Sequence, residues 1–325
     1  MKKIIFMVMA VFLLLNIPIS SFAQSRDEYP EFDNLKKVGQ SGYQFLKIGV
    51  GARGTAMGGA AITNEGNAGD VFYNPAGLTA IEGKSVFVGY TNWFADIKHQ
   101  AFSAAINLGK LGVFGLNGVM MDHGDIMGTA IANNNIGYED TGNLDVAEMA
   151  IGLSYARRFT NRFGLGGTIK YCRQDLDAME SSVVAFDIGT IYNTGWHDVK
   201  VAMSIQHFSK EIRYIDEDFV LPLTYRIGVS ANLLSLMGKT SEKHDWTIAF
   251  EGVNPRDYTE RFHLGTEYWF DGLVALRGGY KFNYDEEGIT FGAGVKMMGV
   301  EIGYAYADFG DILGTINRVS AQLSF

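Results

Sequence analysis

Cys172 is the only cysteine, so no intrachain disulfide is possible. A lone cysteine in a strand-like run reads as packing. Proline is scarce, at 5 of 325 residues. Basic residues are outnumbered, 27 against 36 acidic, and this argues against nucleic-acid binding. The histidines (His99, His123, His197, His207, His244 and His263) are scattered, with no H-x-x-x-H pair and no cysteine partner, so no zinc site can be argued. No G-x-S-x-G elbow frames a nucleophile. No cofactor, metal ion or catalytic residue is therefore expected, and the chain does not read as an enzyme. Past the N-terminal stretch, no run approaches the ~18 apolar residues of a membrane helix. If the mature chain spans a membrane, it must do so as a closed barrel, since an open sheet leaves backbone groups unpaired in lipid.

Glycine is abundant, at 40 residues, and aromatics make up 13% of the chain. That profile suits many long strands with tight turns and opposes disorder. Residues 1–23 read as a signal peptide: Met1-Lys2-Lys3 is the positive end, Ile4 to Ile19 the apolar stretch, and Ser21-Phe22-Ala23 the small residues before a cut at Gln24. Without them the chain has 25 basic and 36 acidic residues, a net of −11. No cysteine lies near the cut, so a lipid anchor is not expected.

From Lys84 to the end, segments of about ten residues alternate apolar with polar or small residues. In 262–270, Phe262, Leu264, Thr266, Tyr268 and Phe270 oppose His263, Gly265, Glu267 and Trp269. In 315–325, Val319, Leu323 and Phe325 oppose Arg318, Ser320 and Gln322. The expected strands are 84–94, 97–108, 111–121, 145–157, 162–174, 181–192, 198–208, 222–234, 245–253, 259–270, 273–283, 287–297, 299–307 and 315–325. The fold class is all-β, a transmembrane antiparallel barrel of about fourteen strands over residues 84–325. Asp271-Gly272 is a two-residue hairpin turn. With the N-terminus periplasmic, the longer loops face outward, 122–144 above all. Charged residues in mid-strand on the inward face suit a wet or plugged lumen. Tyr90, Trp93, Phe94, Trp196, Trp246, Tyr268, Trp269, Phe270, Tyr304 and Tyr306 gather near strand ends, as interfacial girdles would. Phe325 closes an amphipathic last strand, and a terminal aromatic there serves as a barrel insertion signal.

Residues 24–83 differ, being rich in Gly, Ala, Asn and Asp. Gly49-Val50-Gly51-Ala52-Arg53-Gly54 matches the dinucleotide fingerprint, but no βαβ pattern follows it, so a tight backbone path is the better reading. Asp122-His123-Gly124-Asp125 reads as a solvated acidic loop before a calcium site.

Two runs carry a resemblance. Ala52-Arg53-Gly54-Thr55-Ala56-Met57-Gly58-Gly59-Ala60 and Asn74-Pro75-Ala76-Gly77-Leu78 are similar to the N-terminal region of the PorV/PorQ proteins, relatives of the FadL outer-membrane transporters. The resemblance implies that residues 24–83 form a hatch in or against the barrel mouth, with Ala52, Arg53, Met57, Gly58, Gly59, Asn74, Pro75, Ala76, Gly77 and Leu78 as its motif. It implies a bacterial outer-membrane protein surrounded by lipid and inserted by the barrel-assembly machinery. Its partners would be secreted proteins with a C-terminal sorting domain and subunits of type IX secretion. The alternative is a FadL-like transporter of hydrophobic small molecules. Inward-facing Lys170, Glu267, Arg277, Lys281, Arg318 and Gln322 do not read as an apolar groove, which favours the secretion role over the transporter.

Overall fold

The computed structural model describes residues 41–132, 137–177, 179–214 and 217–325. The expected signal peptide and residues 24–40 of the expected hatch lie outside them. The strands are β1 (Lys84–Asn92), β2 (Lys98–Asn107), β3 (Val113–Asp122), β4 (Ile126–Ile131), β5 (Tyr138–Leu144), β6 (Val146–Arg158), β7 (Phe163–Leu176), β8 (Met179–Asn193) and β9 (Lys200–Ser209). They continue with β10 (Ile212–Tyr214), β11 (Glu217–Phe219), β12 (Thr224–Asn232), β13 (His244–Pro255), β14 (Arg261–Phe270), β15 (Val274–Phe282), β16 (Ile289–Met297), β17 (Val300–Asp308) and β18 (Thr315–Ser324). Fourteen of them close into one antiparallel barrel, in which only β4–β5 and β10–β11 stand apart as hairpins within loops at one end. No described helix is long and apolar enough to cross a membrane.

Closure removes the sheet edges, which lipid could not satisfy. The seam joins β1 to β18, in register from Ser85 opposite Ser324 to Asn92 opposite Asn317. One residue beyond that ladder, the Lys84 N–H donates to the Phe325 carbonyl at 2.7 Å and the Phe325 N–H to the Lys84 carbonyl at 2.9 Å. Deleting Phe325 removes both bonds and the aromatic end together. The expected result is a smaller amount of heat-modifiable barrel in the outer membrane. Normal amounts with normal gel mobility would leave the terminal residue without a role in assembly.

The wall is inverted relative to a soluble protein. Outward Leu153, Ile188 and Leu276 are 63%, 56% and 59% exposed, whereas inward Ser154, Asp187 and Arg277 are 4%, 5% and 4% exposed. Period-two alternation over a lipid-facing surface dictates this. Tight turns join the strands at one end: Asp271 and Gly272, at φ 54° and 63°, make the primed hairpin turn that matches strand twist. Three aromatics depart from the girdle expectation. Trp93 and Phe94 pack with Phe309 at the loop end, and Trp93 also lies under the Arg318 guanidinium, 5.3 Å from its ring centroid. Trp269 faces inward beneath Arg277. For Trp93 and Trp269, the attraction of a cation for the ring face outweighs the interface.

Residues 41–83 fill the barrel. They reach its loop end, where Ser41 bridges Val220 and the Lys47 ammonium meets Asp257 at 2.9 Å. They also reach its turn end, where Glu65 pairs with Arg158 at 3.0 Å and Lys200 at 2.9 Å. The plug thus runs the length of the lumen instead of lying only across one mouth. Its regular structure is slight: a helix α1 (Ala52–Ala56) and 3-10 turns, the last of them over Pro75–Ala80.

Candidate functional site: the plug and the lumen

The two motif runs sit where the plug comes closest to the wall. Ala56, Met57 and Gly58 lie on glycines of β14, β15 and β16, and Gly59 lies against the His263 ring. A Cβ on Gly279 would stand 2.1 Å from the Gly58 nitrogen, one on Gly265 2.4 Å from the Met57 carbonyl oxygen, and one on Gly292 2.5 Å from Ala56 Cβ. Gly58 and Gly59 have φ of 66° and 85°, a backbone path that favours glycine. Pro75 and Asn74 lie on Gly166 and Gly189 in the same manner. Asn74 is wholly buried: its amide donates to the carbonyls of Ile62 at 3.0 Å and Thr190 at 3.1 Å, and its Oδ1 accepts from the Ala76 N–H at 3.0 Å. Ala52, Met57, Ala76 and Leu78 are buried beside them, and Gly77 turns tightly against the Asn64 carbonyl.

Polar wall residues complete the seat. Plug backbone N–H groups that no helix or strand satisfies find acceptors here: Ala52 on Ser320 Oγ at 3.1 Å, Gly58 on Thr290 Oγ1 at 2.9 Å, and Ala61 and Ile62 on Glu251 at 3.0 and 3.1 Å. Arg226 braces Glu251 and donates to the Gly59 carbonyl at 3.0 Å. Arg53 grips Glu267 with two bonds of 2.9 and 2.7 Å. Arg277 donates to the same carboxylate at 2.6 Å and to Glu301 at 2.7 Å. Glu251, Arg226 and Glu267 thus serve the plug directly, and Arg277 braces Glu267.

Within the plug, Asp70 accepts from the Asn67 N–H at 2.9 Å. Burial pushes its carboxyl up to about 6, against the pull of Arg53 and of that N–H. The ordinary value is 3.8. Between about pH 4 and about pH 6, a displaced plug would release the proton that a seated plug keeps. Seating should therefore weaken as pH rises through that window, by up to about 3 kcal/mol, and stay level above it. Amide-exchange protection of residues 68–74, corrected for intrinsic rates, should be greater at about pH 4.5 than at about pH 7. Equal protection at both would show that Asp70 does not govern seating.

Between the upper plug and the wall lies an enclosed cavity of about 110 Å³. The plug supplies Phe45, Leu46, Ile48, Val50, Phe72 and Tyr73, and the wall supplies Val119, Ala150 and Val253. Lys170, Asp187, His207, Arg226 and Arg261 also reach it. Most of these charges are already engaged. Lys170 donates to Asp187 and to His207 Nδ1, both at 2.7 Å, where a bulge shifts the β8–β9 register and His207 takes φ 63°. Arg261 lies between the rings of Tyr258 and Tyr284, its Cζ 4.1 Å from each centroid. A cavity of about 150 Å³ is known to admit benzene, so this one is on the scale of a single small ring. Reasoning from strands alone missed it, because its apolar face comes from the plug. The spacing of Phe45, Leu46, Ile48 and Val50 ahead of the first motif was the available signal. No group of His, Cys, Asp and Glu among the described residues is disposed to hold a metal ion.

Several solved barrels share this fold. The Pseudomonas putida toluene transporter TodX is similar over 85% of this chain and 97% of its own, at 11% identity and a TM-score of 0.60. The CymD monoaromatic hydrocarbon channel is similar over 86% of this chain and 98% of its own, at 13% identity and a TM-score of 0.59. A Pseudomonas aeruginosa FadL homologue is similar over 86% and 99%, at 10% identity and a TM-score of 0.57. Likeness at these identities is likeness of fold. No family model and no curated protein matches the sequence.

Proposed function

We propose that the protein is a channel of the bacterial outer membrane for small hydrophobic molecules, which it binds in the lumen cavity. The observation that carries this is the apolar face that the plug turns toward that cavity. Burial of a hydrocarbon there gains roughly 25 cal/mol per Å² of apolar surface. The neighbouring structures whose names speak of toluene and monoaromatic hydrocarbons support this reading over the secretion role that the sequence motifs imply. The turn end then faces the periplasm, and Phe325 presents the chain to the assembly machinery.

The test is uptake of radiolabelled toluene by cells that carry the barrel and by cells that lack it. Faster uptake with the barrel is expected. Replacing 123–145 by a tight turn should leave uptake unchanged, because those residues form none of the cavity. Equal uptake in both cell types, together with lost release of sorting-domain proteins on trimming that loop, would return the secretion role.

A further inference from the structure

Three voids lie in series between the plug and the wall. The lumen cavity shares Val50 and Tyr73 with a small space of about 30 Å³. That space shares Arg53 and Glu301 with a cleft of about 550 Å³ at the turn end. We propose that the Arg53–Glu267 pair gates a polar passage through the plug, admitting water and small hydrophilic solutes along this line.

The middle space sets the class of solute. It holds about two or three waters and is lined by Asp70, Arg277, Glu301, Ser320 and Gln322. A hydrocarbon would strip these groups of solvent at a cost of several kcal/mol, whereas a hydrogen-bonding solute replaces it. The passage therefore starts from the cavity proposed to take hydrocarbon, but its selectivity is set in the middle space and does not depend on what that cavity binds.

The pair can open because the wall does not need Arg53. If Arg53 swings away, Glu267 keeps Arg277 at 2.6 Å, and Glu301 keeps Arg277 at 2.7 Å and Gln322 at 2.5 Å. Neither Glu267 nor Glu301 is left without a cation. The Arg53 side chain is already 28% exposed toward the cleft, so its guanidinium moves into water. A purely structural lock would leave a costly orphan on opening. At the upper end the Tyr73 hydroxyl donates to the Val50 carbonyl at 2.9 Å, and both residues line the first two voids.

The experiment is ion conductance of the purified full-length barrel in planar bilayers of phosphatidylcholine with potassium chloride. Arg53→Ala should raise the open fraction roughly tenfold, the effect of losing a bidentate charge-assisted pair. Arg53→Lys, which keeps one bond, should fall between. Arg158→Ala breaks another plug-to-wall pair and should leave conductance at the wild-type level. Folding is checked by heat-modifiable mobility, and Arg53→Gln is read in the same way if the alanine variant fails to assemble. Wild-type conductance in folded Arg53 variants overturns the proposal. Equal opening by Arg53→Ala and Arg158→Ala also overturns it, since that would be general loosening. Toluene uptake is measured beside it, and loss of uptake alone counts against the hydrophobic site and not against the gate.

Discussion

Gly279→Val should unseat the plug and convert a closed barrel into a wide, permanently open pore. A Cβ at this position would stand 2.1 Å from the Gly58 nitrogen and 2.2 Å from the Met57 carbonyl carbon, both backbone atoms. Neither side can yield easily. Gly279 belongs to a ladder paired on both edges, and Gly58 lies in a left-handed turn. Overpacking a tight site costs about 1–3 kcal/mol when side chains can adjust, and here backbone would have to move. Gly278 is the internal control, since its added Cβ meets nothing nearer than 3.9 Å. The expected readout is large conductance in bilayers and vancomycin sensitivity in cells for Gly279→Val, with Gly278→Val unchanged. A folded Gly279→Val barrel that stays closed would mean that the plug is held elsewhere.

Ala150→Phe should abolish hydrocarbon uptake without opening the barrel. Ala150 faces inward from β6, paired with Val119 on one side and Cys172 on the other, and lines the lumen cavity. The added phenyl ring occupies roughly 100 Å³, close to the 110 Å³ available. Toluene uptake should fall to the level of cells lacking the protein. Leu153→Phe, outward on the same strand, should have no effect. Undiminished uptake by a correctly assembled Ala150→Phe barrel would place the route outside this cavity.

The barrel was legible in the sequence because strand periodicity is local. Each expected segment matches a barrel strand to within about two residues, and inward Arg277, Glu267 and Arg318 were distinguishable from outward Leu276 and Tyr268 by alternation alone. The loop hairpins β4–β5 and β10–β11 were not, since their residues carry little period-two contrast. Glycines were the larger omission. Gly166, Gly189, Gly265, Gly279 and Gly292 read as ordinary strand residues, yet each marks a point where plug and wall meet. That role depends on a partner far off in the chain, which no window of ten residues contains. The cavity was hidden for the same reason. Its wall half is polar by count, and its apolar half lies in Phe45 to Val50 and in Phe72 and Tyr73, outside the repeating strands.

The distances along the chain between plug and seat fix an order of events during biogenesis. Arg53 and Glu267 are 214 residues apart, and Ala52 and Ser320 are 268 apart. The plug therefore completes its seat only when the final quarter of the polypeptide arrives. Until then the amides of Ala52 and Gly58 lack their wall acceptors and the apolar run from Phe45 to Val50 stays open to water. Such long-range pairing is slow to form. A cylinder already zipped along β1 and β18 would have to be threaded by its own beginning. The wall must instead wrap around the plug as an open, curling sheet, and the last bonds to form are those between Lys84 and Phe325.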